Sequence, residues 1–208
     1  MHIYFVRHGE TELNAKHIHQ SPSTPLSDKG REQVMATAEI LRGVNPDLLL
    51  TSEYTRALES ARIIGSSVGL SPLVSGFFYE IVRPSKLFGK SHFAPETFWY
   101  VVLSIIFKNN HAWRYTDAEN FFHISERAQK ALEYLESLHK THASIIVVSH
   151  SVFINMMVSY MCNNRILSIR DLIFTFFHVE RMKNASIVHL EYNGISAKNS
   201  CSWRLIKE

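Results

Sequence analysis

Short apolar runs alternate with segments of helical period along most of this chain, and arginine, histidine or serine follows directly where several of the runs stop. His2 to Val6, Leu48 to Leu50 and Ile145 to Val148 read as buried strands. Between them, Ser27 can cap a helix with Val34, Ala38 and Leu41 on its apolar face, stopped by Gly43 and Pro46. Ser52 can cap a second, with Ala57, Ala61, Ile64 and Val68, ended by Gly69. Ser125 opens a third, with Ala128, Ala131, Leu132, Leu135 and Leu138, and an apolar helix follows from about Val152. Further strands are expected near Phe176 to Val179, Ile187 to Tyr192 and Trp203 to Ile206. This order implies an α/β fold, layered α/β/α around a mainly parallel central sheet.

The alternation is lost between Ile81 and Phe122, where Pro84, Gly89 and Pro95 precede a greasy run and then a polar stretch. We read residues 81–122 as a helical insertion, a lid over the active site, within a single domain spanning 1–208. The greasy run Phe98 to Phe107 is about half the ~20 residues needed to cross a bilayer, so no membrane partner is expected. It has three burials open to it: packing on the catalytic domain, which is the simplest, a homodimer contact, or the wall of a pocket for a substrate with an apolar part.

Composition excludes other classes. Lys and Arg number 22 against 19 acidic residues, a net charge of +3, and the basic residues are scattered, so no nucleic-acid partner is expected. Cys162 and Cys201 form no CxxC spacing and too few thiols for a disulfide scaffold, which points to a reducing cytoplasm. The apolar run Ile3 to Val6 is cut by Arg7 and does not resemble a signal peptide.

Ligands of open α/β sheets bind beyond the carboxyl ends of the strands. Arg7, His8 and Gly9 follow the first strand, Arg56 lies just past the second, and Ser149, His150 and Ser151 follow the third. If these strands are neighbours, two guanidiniums and two imidazoles converge, which suits a phosphoryl group. His8 can attack phosphorus, splitting one slow displacement into two through a phosphohistidine. A protonated His150 can stabilise the transferring oxygens, and Arg7 and Arg56 can hold them. Glu80, after the aromatic run Phe77 to Tyr79, is placed to protonate the leaving oxygen, with Glu10 and Glu12 as fallback acids.

The segment VRHGETELN, Val6 to Asn14, resembles the signature of the histidine phosphatase superfamily, the phosphoglycerate-mutase-like proteins. TPLSDKGREQ (Thr24 to Gln33), TSEYTRALESA (Thr51 to Ala61) and VVSHS (Val147 to Ser151) are similar to its further blocks in the same order. The resemblance implies that His8 is the phosphorylated nucleophile, that Arg7, Arg56 and His150 bind the phosphoryl group, and that Glu80 supplies the proton. It also points to Asn14 as a phosphate-pocket residue and implies no metal and no other cofactor. Ser151 stands where the family commonly has glycine, and would narrow the pocket or add a hydroxyl donor. Past Glu80 the run IVRPSKLFGK departs from the family pattern.

The expected function is a metal-independent phosphatase of small phosphomonoesters working through phosphohistidine. The alternatives are a phosphoglycerate-type phosphomutase, a phosphohistidine-protein phosphatase, and a non-catalytic phosphate-binding regulatory module. Of the other histidines, His17 and His19 are expected in a loop near the pocket mouth rather than at a metal, and His111, His123, His139, His142, His178 and His189 as surface or core residues. Arg83, Lys86 and Lys90 are equally compatible with a solvated loop and with a site for a second anionic group on the substrate.

Overall fold

The computed structural model describes residues 1–161, 182–194 and 201–206. Among these the strands are β1 (His2–Arg7), β2 (Leu48–Thr51), β3 (Leu73–Val74), β4 (Ser144–Ser149), β5 (Ile187–Tyr192) and β6 (Trp203–Ile206). The α-helices are α1 (Glu12–Ala15), α2 (Asp28–Arg42), α3 (Thr55–Val68), α4 (Pro95–Ile106), α5 (Phe121–Ser137) and α6 (Ser151–Tyr160). The strands form one sheet in the order β3-β2-β4-β1-β5-β6. From β3 to β1 neighbours are parallel, and β5 and β6 extend the sheet antiparallel. The strands expected at Ile187 to Tyr192 and Trp203 to Ile206 are β5 and β6, whereas the one expected at Phe176 to Val179 lies outside the described residues. β3 is two exposed residues long, too short to leave a period in the sequence.

Successive side chains of a strand face opposite sides, and this builds the three layers. Ile3, Phe5, Ile145 and Val147 pack beneath α5 and α6 with Ala128, Leu135, Phe153 and Met157. Tyr4, Val6, Ile146 and Val148 pack on the other face with Val34 and Leu41 of α2 and Ala57 and Ile64 of α3. Phe5, Phe78 and Phe153 are fully buried, each contributing about 1.5–3 kcal/mol through the apolar surface removed from water.

The Ser27 side chain caps α2 by accepting from Gly30 N, and α3 ends at Gly69 with φ +75, a conformation glycine adopts without penalty. Two other expected caps are corrected. The N-cap of α3 is Tyr54, without a side-chain cap, because the Ser52 hydroxyl is buried beside His150. α5 begins at Phe121, a turn earlier than expected, because the Asn120 side chain accepts from His123 N. Ser125 lies inside it and donates back to Phe121 O.

Residues 81–122 hold a 3-10 turn at Ser85–Leu87, then α4, with a small core of Leu87, Tyr100 and Ala118. α4 buries Thr97 and Tyr100 but leaves Phe98, Trp99 and Ile106 more than half exposed, so the expected packing of the greasy run holds on one face only. Among the described residues, no helix is long and apolar enough to cross a membrane. Cys201 is disulfide-bonded, so the cysteines no longer argue for a reducing compartment.

Candidate active site

The sheet register levels three strand ends. Arg7 pairs with Ser149 and Thr51 with Val148, and the ladder runs one residue further, with His8 N donating to Ser149 O and Ser52 N to Val148 O, both at 3.0 Å. β4 enters between β1 and β2, so β1 and β2 are not neighbours. Arg7, His8, Ser52 and His150 nevertheless leave the sheet at one edge, beside Arg56 in the first turn of α3 and Ser151 at the start of α6. Directly after His8 the chain crosses the start of α2 at close quarters. A Cβ on Gly9 would lie 2.4 Å from Gly30 O, and one on Gly30 would lie 2.0 Å from Glu10 O, so both positions require glycine.

His8 is 3% exposed, and its Nδ1 lies 2.7 Å from Gly9 O. A carbonyl only accepts, so Nδ1 carries the proton and the lone pair is on Nε2. Arg56 Nε donates to that Nε2 at 3.2 Å, and Arg56 Nη1 donates to Ser21 O at 3.0 Å. Burial first, then Arg56 and Arg7, hold His8 well below its ordinary pKa, which keeps the imidazole neutral and nucleophilic. Burial also lowers Arg7, and lowers Arg56 to about 10; both remain cations at neutral pH.

His150 is fully buried, with its ring centroid 5.1 Å from that of His8, and it does not line the cavity. Its Nε2 is 2.9 Å from Ser52 Oγ; that hydroxyl accepts from Tyr54 N and has its own proton to give to Nε2, which leaves the ring proton of a neutral His150 on Nδ1. Burial, then Arg56, His8, Arg127 and Arg7, push His150 well below its ordinary pKa. Without a bound anion the imidazole is therefore neutral, chiefly through burial, and the protonated His150 expected from sequence would need the charge of a phosphoryl group beside it. Among the described residues, Arg7 Nε and His150 Nδ1 are buried without hydrogen-bond partners, a costly arrangement that an incoming acceptor at this site relieves. Arg7 Nη1 donates to Met182 O.

A cavity of about 830 Å³ opens over His8, lined among others by Arg7, Asn14, Arg56, Glu80 and Ser151. Glu80 Oε1 accepts from Ile81 N at 3.0 Å and from Phe153 N, in the first turn of α6, at 3.2 Å. These bonds tether one carboxylate oxygen beside the cavity. Glu10 also lines the cavity but is paired with Lys29, and Glu12 is exposed beside Lys16. Asn14 is tied into local structure: its Oδ1 accepts from Thr11 N in the capping box of α1, and its Nδ2 donates to Asn184. Ser151 is buried at the helix start and lines the cavity.

Several residues escaped the sequence reading. Tyr54 sits beneath the Arg56 guanidinium, 5.1 Å from ring centroid to Cζ, and edge-on to His150. Ser60 Oγ accepts from Gly9 N at 3.2 Å. The segment carrying Glu80 is held by a buried pair. Arg127 donates to both Glu119 oxygens and, through Nη1, to the carbonyls of Phe77 and Tyr79, while Glu119 accepts from Val82 N. Nothing in the sequence marked this pair, since Arg127 and Glu119 are ordinary charges until the fold buries them. Replacing Arg127 by Leu is expected to cost about 2–4 kcal/mol of stability, because Glu119, with its side chain 13% exposed, is left largely out of water without its cation. Urea denaturation measures this, and a loss under about 1 kcal/mol would show that the pair is solvated.

Residues 3–198 match the family described as Histidine phosphatase superfamily (branch 1). The chain belongs to that superfamily and is an enzyme of that class. It is 27% identical over 92% of its length to the probable phosphoglycerate mutase GpmB of Enterobacter sp. (strain 638), covering 85% of that protein. It is 25% identical over 76% of its length to the adenosylcobalamin/alpha-ribazole phosphatase of Escherichia coli (strain K12), covering 78% of it. A 43% identical stretch of 68 residues, 32% of this chain, matches 30% of the glucosyl-3-phosphoglycerate phosphatase of Mycolicibacterium vanbaalenii. The fold is shared with the crystal structure of a putative alpha-ribazole-5'-P phosphatase from Escherichia coli K-12, with a TM-score of 0.75 at 22% identity, covering 99% of this chain and 95% of that one.

Proposed function

We propose that this protein hydrolyses small phosphomonoesters through a phosphohistidine on His8, without a metal. The observation that carries the reading is the neutral Nε2 of His8 between Arg7 and Arg56, on the floor of a cavity that also holds Glu80. Substrate draws the Arg56 hydrogen bond onto a phosphoryl oxygen and frees the Nε2 lone pair. Nε2 attacks phosphorus in line, the bond to the ester oxygen breaks, and the protonated Glu80 gives its proton to that oxygen. Water then attacks the phosphohistidine, Glu80 takes a proton from it, and the P–N electron pair returns to Nε2, releasing inorganic phosphate. Arg7, Arg56 and the unpartnered Nδ1 of His150 stabilise charge on the transferring oxygens, with Ser151 at the helix start as a further donor. Asn14 lines the pocket, and its Nδ2, which gives one hydrogen to Asn184, has the second for a phosphoryl oxygen.

Among the described residues, no group of histidine, cysteine and acidic side chains is arranged to hold a metal ion. Phosphate release from a panel of phosphomonoesters with a chelator present tests the reading. Undiminished turnover with acid-labile labelling of His8 is the expected result, and inhibition restored by a divalent ion contradicts it. Glu80→Gln is expected to slow alkyl phosphates by about 10²-fold or more while sparing aryl phosphates with good leaving groups. An equal loss on both would move the acid role to another residue.

A phosphomutase is the second reading, favoured by the extra cation Arg83 on the cavity wall. Conversion of one phosphate ester to its isomer without phosphate release would establish it.

A further inference from the structure

Arg83, His17, His19 and His92 line the same cavity as His8. The chain that carries His17 and His19 pairs with the insertion: Ile18 bridges Ser91, His19 N donates to Lys90 O, and His92 N donates to His17 O. This ribbon gathers the imidazoles, with ring centroids 4.4 Å apart for His19 and His92 and 6.3 Å for His17 and His92. His19 is 3% exposed, and its tautomer follows from its partners. Thr97 Oγ1 donates to Ser91 O, so it must accept from His19 Nε2–H at 2.9 Å. His19 Nδ1 is then a bare acceptor, and Arg83 Nη1 donates to it at 3.0 Å.

An arginine of this kind would ordinarily be paired with a carboxylate, yet among the described residues no acidic side chain lies within ion-pair distance of Arg83. Lys90 is spent on Glu96, and Lys86 lies over the Tyr115 ring. His19 and His92 add no competing charge. Burial and Arg83 keep His19 near a pKa of about 3 and His92 near about 4. A divalent cation is excluded by the same arrangement, since both His19 nitrogens are engaged and the fixed charge beside them is positive.

We propose that Arg83, oriented by His19 and flanked by His17 and His92, binds a second anionic group, a carboxylate or phosphate, on the non-reacting end of the substrate. This deepens the phosphatase reading by giving its substrates two anionic ends. One end lies at His8, and the other is recognised by the guanidinium fork and imidazole N–H donors. The insertion thus reads charge where its greasy run suggested an apolar substrate.

Calorimetry with ω-carboxyalkylphosphonates and ω-hydroxyalkylphosphonates of matched chain length tests the subsite without turnover. At one chain length at least, the carboxylate member is expected to bind about tenfold tighter to the wild type. Arg83→Gln is expected to bring that ratio near one while the hydroxyl member binds within about twofold of wild type, which also certifies the fold. Arg83→Lys, a point charge without the fork, should keep part of the preference. Equal binding of both series at every length, or a ratio unchanged in Arg83→Gln, overturns the proposal. Phosphate release from the matching alkyl phosphates is read separately: discrimination without turnover sinks the phosphatase reading alone, and turnover without discrimination sinks the subsite alone.

Discussion

His8→Ala is expected to abolish the covalent phosphoenzyme and to lower kcat by about 10⁴-fold or more, the scale seen when a nucleophile is removed from a group of residues that act as a unit. The reason is local. Gly9 O fixes the Nδ1–H tautomer, and burial with the neighbouring guanidiniums keeps the ring unprotonated in the cavity that Glu80 also lines. Rapid-quench labelling with radioactive phosphoryl donor, followed by acid and base stability of the label, measures the intermediate. Substantial phosphate release by the variant would mean that water attacks phosphorus directly and that the imidazole has another role.

Arg56→Ala is expected to lower kcat/KM by about 10²–10³-fold, the cost of losing one preorganised donor to a developing anion. A second signature separates this from simple loss of binding. Arg56 is the largest charge effect depressing His8, so its removal lets the imidazole take a proton at higher pH. A histidine whose pKa rises reaches its neutral form only at higher pH, so the acid limb of kcat/KM against pH should move upward in the variant. An unmoved acid limb with unchanged rate would place Arg56 outside the catalytic machinery, as a strut between Ser21 and Tyr54.

The layered fold was legible because both of its periods are written in the chain. Ile3 to Val6 and Ile145 to Val148 are apolar throughout, as parallel strands covered on both faces must be, and Val34, Ala38 and Leu41 repeat at helical spacing. The helix starts at Ser52 and Ser125 were misread for one reason: a serine is a cap only if its hydroxyl is free. Here one hydroxyl turns to His150 and the other to a carbonyl in the preceding turn. α4 was read as buried because composition records greasiness, while the side of a helix that finds a partner depends on what lies opposite.

His8, Arg7, Arg56 and His150 were marked in advance because each follows a strand directly or opens the next helix, and strand ends are where an α/β sheet presents its chemistry. Chain order alone established those residue types at those positions, and with them the superfamily. It could not establish that β4 slides between β1 and β2, which brings His150 within 5.1 Å of His8, ring centroid to ring centroid. Nor could it place Arg127 and Glu119 under the segment that carries Glu80, or turn His92 and Arg83 toward the cavity whose mouth His17 and His19 were expected to border. Local patterns fix secondary structure through nearest-neighbour sterics and burial, whereas pairing order and the neutral state of an imidazole arise only when distant segments exclude water from each other.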